Sequence, residues 1–163
     1  MKLDTKQLYP LQKVLDARIF DLHNVTREST RDARFLALLV ELSEFVNETK
    51  CFKYWSLKPM SAREVILEEF GDGIHFLLSL GIDLNDESEY IESIDKDVDL
   101  TDAVLEIYSL VNEFRNNFTK ENYLKVFSHY LNAARILGFS STDIEEYYLL
   151  KNSKNHARQD QGY

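Results

Sequence analysis

Chain breakers and cross-linkers are scarce in this sequence. Only five glycines and two prolines occur in 163 residues, which leaves few points where a helix must stop. The single cysteine, Cys51, excludes an internal disulfide and a multi-cysteine zinc site. No apolar run approaches the length of a membrane span, about 18 residues. The opening MKLDTKQLYPLQKVLD has no apolar core of the secretory kind. Positive charge is the minority, with 19 Lys and Arg against 28 Asp and Glu and a formal charge of −9. That balance argues against a general nucleic-acid binder. Together these absences predict a soluble, cytoplasmic protein with no membrane and no nucleic-acid partner. Repeats and low-complexity segments are missing too, and the length suits one domain with a sizeable core.

What remains is helical periodicity. Leu8, Leu11, Val14, Leu15, Ile19 and Leu22 recur at helical spacing and predict a first helix over 5–23, with Pro10 expected to kink or delay it. A polar stretch, 24–30, precedes a second helix over 32–48, apolar on most sides near Phe35 to Leu42 and so expected to be central. Residues 49–60 read as an aromatic loop. Ser61 and Glu64 predict a capping box for a third helix, which Gly81 should stop. The acidic stretch 82–100 reads as a solvated connection. A fourth helix is expected from Thr101 or Asp102 to Asn117 and a fifth from Thr119 to a stop at Gly138. A sixth is capped by Thr142 and Glu145 and runs through Leu150, before a polar tail over 151–163. No segment sustains strand alternation. The fold class is an all-α bundle of six helices in a single domain, 1–163.

Two acid pairs stand out against this background. Glu41 and Glu44 form E-x-x-E in LALLVELSEFVNE, and Glu69 and Asp72 form E-x-x-D in EVILEEFGDGIHFLLSL. Residues three apart share a helix face, so each pair projects two acids in one direction. A lone E-x-x-E is common on a solvated face. Two pairs inside apolar runs are different, because unpaired carboxylates there are costly. Four such acids on two packed helices would repel unless a cation lay between them. All-oxygen ligands favour a hard ion such as Mg²⁺. A di-iron bundle would place histidine in the second motif, where this chain has Asp72.

Hydrolysis of a nucleoside triphosphate needs charge neutralisation at phosphate, an activated water and cations on the outer phosphates. The carboxylates can serve the first two needs, and Lys151, Lys154 and Arg158 in the polar tail the third. Read by themselves, Tyr54 and Trp55 are core or interface aromatics, His75 is a satisfied core histidine and Gln12 is a surface residue.

In combination, these motifs resemble the all-α nucleoside triphosphate pyrophosphatases, which include the MazG-type enzymes and the dimeric dUTPases. The two acid motifs stand 24 residues apart, with positions 45–68 between them. LQKVLDARI at 11–19, FKYWS at 52–56, DGIHFLLS at 72–79 and the closing KNSKNHARQDQGY are similar to the dimeric dUTPase branch. That resemblance implies an all-α bundle of the pyrophosphatase type and a homodimer built on the central helices. It implies Mg²⁺-dependent hydrolysis of dUTP to dUMP and pyrophosphate, acceptance of dUDP, and a role in limiting uracil in DNA. Glu41, Glu44, Glu69 and Asp72 would be the metal ligands, with Glu41 also positioning or deprotonating the water. Lys151, Asn155, Arg158 and Tyr163 would hold phosphates. Gln12 would read the uracil edge, supported by Asp16, while Trp55, His75 and Phe76 would shape the nucleoside pocket. A sister pyrophosphatase for a modified or cytosine nucleotide is the alternative, since the acids alone do not select a base.

Overall fold

A computed structural model describes residues 1–162. Among them are six helices and one small two-stranded sheet. In chain order these are β1 (Lys2–Asp4), α1 (Leu8–Leu22), α2 (Arg27–Thr49), α3 (Arg63–Asp83), β2 (Tyr90–Glu92), α4 (Leu100–Asn116), α5 (Lys120–Ile136) and α6 (Ser141–Asp160). β1 and β2 pair antiparallel with Leu3 opposite Ile91, and both of these side chains are buried.

The central helix is α3, not α2 as the apolar run at 35–42 suggested. Ile66, Leu67, Phe70, Ile74, Leu77 and Leu78 are all buried, and α3 packs on α1, α2, α5 and α6. By contrast, α2 buries Phe35, Leu38, Leu42 and Phe45 but leaves Leu36 and Val40 exposed. The long apolar stretch of α2 therefore has two faces, only one of which is buried in this chain.

Several boundaries differ from the sequence expectation, each for a local reason. Thr26 and Ser29 close a reciprocal capping box, so α2 starts ahead of the expected position and absorbs most of the polar stretch. Pro10 is the third residue of α1, where its missing N–H would have lacked a helical partner anyway. The Ser61 and Glu64 box does not form, because the Ser61 hydroxyl donates to the Glu48 carboxylate at 2.5 Å. Ser140 and Asp143 cap α6 instead of Thr142 and Glu145. Gly81 does not stop α3, which passes through it to Asp83, whereas Gly138, with φ of 75°, does end α5.

The acidic connection is not wholly solvated. Asp86 is buried, accepting from Tyr9 and from Lys120 Nζ at 2.7 Å, while the Tyr9 and Tyr123 hydroxyls lie 2.8 Å apart. The polar tail also departs from expectation. α6 continues ten residues past Leu150, to Asp160. Its inner face earns that order: Tyr148 and Asn152 are buried, Lys151 bonds Asp72, and Arg18 bonds Asp160.

Candidate active site

The facing of α2 and α3 brings the two acid motifs together. Glu41, Glu69 and Asp72 each offer a carboxylate oxygen within 4.8 Å of the others. Glu44 stands at the rim, sharing an open groove with Val40, Ser43, Asn47, Glu48 and Glu69. It is close enough for its charge to act on Glu41 and Glu69. Tyr130 of α5 forms the floor, donating its hydroxyl to the Phe70 carbonyl at 3.0 Å. Its ring stacks on Phe70 and passes Gly73, where a Cβ would overlap the phenol. Gly73 is thus fixed by close approach rather than by a turn.

Burial and mutual repulsion raise the acids. Glu41 is pushed up to about 7, by loss of water first and then by Asp72, Glu44 and Glu69. Glu69 is raised by burial and by Glu44 and Asp72. Asp72 is raised by burial, against the opposing pull of Lys151. Lys151 Nζ sits 2.5 Å from Asp72 Oδ2 and 3.6 Å from Glu68. Lys154 reaches Glu68 at 3.4 Å, and the Arg158 charge also favours ionised Asp72. Three crowded carboxylates with no other donor type fit a hard divalent cation, which the same repulsion would attract.

Beside the acids lies a pocket of about 390 Å³. Its walls are Leu15, Ile19 and Phe20 of α1, Ala33 and Ala37 of α2, and Phe76 of α3. Gln12, Asp16, Arg34, His75, Ser79 and Asn155 supply the polar lining. A mostly apolar cavity with a few convergent polar groups is what a nucleoside needs. Gln12 is buried, contrary to its bland reading as a surface residue, with its Oε1 2.8 Å from His75 Nδ1 and 3.0 Å from the Tyr148 hydroxyl. His75 stacks on Tyr148 with centroids 4.2 Å apart, and burial followed by the Lys151 charge lowers its pKa to about 3. The ring is therefore neutral at physiological pH.

The structure thus gathers Glu41, Glu69, Asp72 and Lys151 at one end, and Gln12, His75, Phe76 and Asn155 at the pocket. Asn155, expected among the phosphate contacts, lines this pocket and stands one turn of α6 after Lys151, on the same helix face. Trp55 lies apart from it, exposed in the loop after α2 and packed edge-on against Phe52 and Tyr54. Tyr163 lies outside the described residues.

One cluster escaped the sequence reading. Arg27, Arg31 and Arg34 converge on Asp83, at 3.0, 3.3 and 2.7 Å. Arg34 also donates to the Ser79 carbonyl at 3.1 Å. The guanidinium groups hold Asp83 below the usual carboxylate range despite its burial. The signal was present: arginines at i, i+4 and i+7 share one helix face.

Comparison with known proteins agrees with this geometry. Residues 4–163 match a family model described as dUTPase. No curated protein matches the chain.

Proposed function

The chain belongs to the all-α dimeric dUTPase family and hydrolyses dUTP to dUMP, and from that premise we propose how its residues divide the work. The observation that carries the assignment is the trio Glu41, Glu69 and Asp72 on facing helices, next to an apolar pocket of nucleoside size.

Glu41, Glu44, Glu69 and Asp72 would hold Mg²⁺. When bound, the ion neutralises phosphate oxygens and favours attack at phosphorus. Glu41 takes the proton from the attacking water on the carboxylate oxygen that the ion leaves free. Lys151 and Arg158 on α6 hold phosphate oxygens, with Asn155 closing the pocket above the nucleoside. Gln12 reads the base by its amide, and Phe76 and His75 pack the sugar and ring. The water adds to phosphorus as the P–O bond joining the α- and β-phosphates breaks, and dUMP and pyrophosphate leave.

A homodimer fits the unused face of α2. Leu36 and Val40 lie one turn apart and exposed, with Leu105 of α4 exposed as well.

The test is pyrophosphate release from dUTP, dTTP, dCTP and UTP, with Mg²⁺ and with chelator. Release from dUTP that needs the ion supports the assignment. Equal release in chelator would remove the metal role, and a preference for another nucleotide would move the base specificity.

A further inference from the structure

Glutamine is an ambivalent reader, because its two amide ends have nearly the same shape and opposite hydrogen-bonding character. Something must decide which end faces a base. In this chain the neighbours of Gln12 decide it. Gln12 Nε2 lies 2.7 Å from Asp16 Oδ1. Asp16 is itself buried, and its other oxygen accepts from Arg27 at 2.9 Å and from the Ser79 hydroxyl at 2.7 Å. An ionised carboxylate only accepts, so the Gln12 atom beside it must be the nitrogen. The amide oxygen is then left to Tyr148 and His75, which lie within hydrogen-bond reach of it. Tyr148 donates to it, and His75 does so as the Nδ1–H tautomer, the form that an oxygen facing Nδ1 selects, so both lone pairs of that oxygen are taken. One amide hydrogen of Gln12 is left over, so toward the pocket Gln12 can only donate.

A lone donor selects a carbonyl. At ring position 4, uracil carries a carbonyl and cytosine an amino group, and an amino group cannot accept the bond. We infer that Asp16 is a positioning residue for base selection: by locking the Gln12 amide with its donor toward the pocket, it makes the site accept a carbonyl edge and reject an amino edge. Arg27 extends the lock, since its second amine bonds Asp83 at 3.0 Å and ties the arrangement to the end of α3. The inference rests on the reading that Gln12 faces the base.

Asp16→Asn tests it with little change of shape. The new amide must keep its oxygen toward Arg27 and Ser79, which are both donors. Its NH₂ then faces Gln12, whose amide turns over and shows the pocket an acceptor. The dUTP-over-dCTP ratio of kcat/KM is expected to fall about tenfold, the worth of one hydrogen bond. A merely structural defect would lower both substrates together and leave the ratio unmoved. On a Gln12→Ala background, where selectivity is already reduced, Asp16→Asn should lower the ratio no further.

Three outcomes overturn the inference, and they are separable. If Gln12→Ala leaves the ratio unchanged, the base-reading role itself fails. If Gln12→Ala lowers it and Asp16→Asn does not, the lock fails while base reading stands. If the two losses multiply, Asp16 acts without Gln12. Should Asp16→Asn not fold, Tyr148→Phe removes one donor from the Gln12 oxygen within the same packing. A lowered ratio is expected there, and an unchanged one rejects the lock.

Discussion

At the scale of single residues, Glu41 carries the largest electrostatic burden among the acids of the proposed site. Its carboxyl titrates ordinarily near 4.5 and here near 7. Between those values the folded protein binds more protons than the unfolded chain. Stability of the metal-free protein therefore falls as pH rises through that window. Glu69 and Asp72, also raised, act in the same sense. His75, buried and neutral, acts in the opposite sense below its ordinary 6.5, so thermal unfolding in chelator should show a higher midpoint at about pH 6.5 than at about pH 8. Glu41→Gln should flatten that difference, keep the helical fold and abolish turnover. Full turnover in that variant would remove Glu41 from the reaction. The acid motifs were legible because apolar flanks make a carboxylate conspicuous. Their partners were less so. Asp83 reads as one more acid at a helix end until three arginines from another helix are seen to meet it, and Tyr148 reads as a core aromatic.

At the scale of elements, most helices were visible in apolar periodicity, and their ends were not. Ser61 had two acceptable partners, a backbone N–H and Glu48, and long-range packing chose Glu48. The end of α6 was hidden for a related reason. Its last ten residues carry almost no apolar side chain, so nothing in periodicity extends the helix there. Bonds from Lys151 to Asp72 and from Arg18 to Asp160 hold it, and these join residues distant in sequence. Deleting 151–163 should consequently do more than remove phosphate contacts. We expect loss of turnover together with a lower unfolding midpoint, because the cut removes the buried Asn152 and the bonds from Lys151 to Asp72 and from Arg18 to Asp160. A truncated protein that melts unchanged would make the segment a dispensable appendage.

At the scale of the whole molecule, the question is what the exposed face of α2 is for. Leu36 is 64% exposed and Val40 46%, beside the helix face that carries Glu41 and Glu44. Sedimentation should give a mass twice the 19.1 kDa of one chain. Leu36→Glu, which places charge in the apolar face without touching the protomer core, should shift it to the single-chain mass. A single-chain mass in the unaltered protein would refute the homodimer. Sequence alone marked α2 as strongly apolar. It did not separate burial inside one protomer from burial between two, because both demand the same side chains. That ambiguity is why α2 rather than α3 looked central.

The bond between Lys151 and Asp72 has a consequence for the order of events at the proposed site. The resting enzyme carries its own counter-ion, seated on one of the very acids a divalent ion would claim. An arriving ion would find that carboxylate already in use and would have to displace the Lys151 ammonium from it. The displaced group would stay tethered to α6, beside the proposed seat of the phosphate oxygens. Loading and capture would then be a single swap of partners, in which the charge given up by the acids is handed to the substrate.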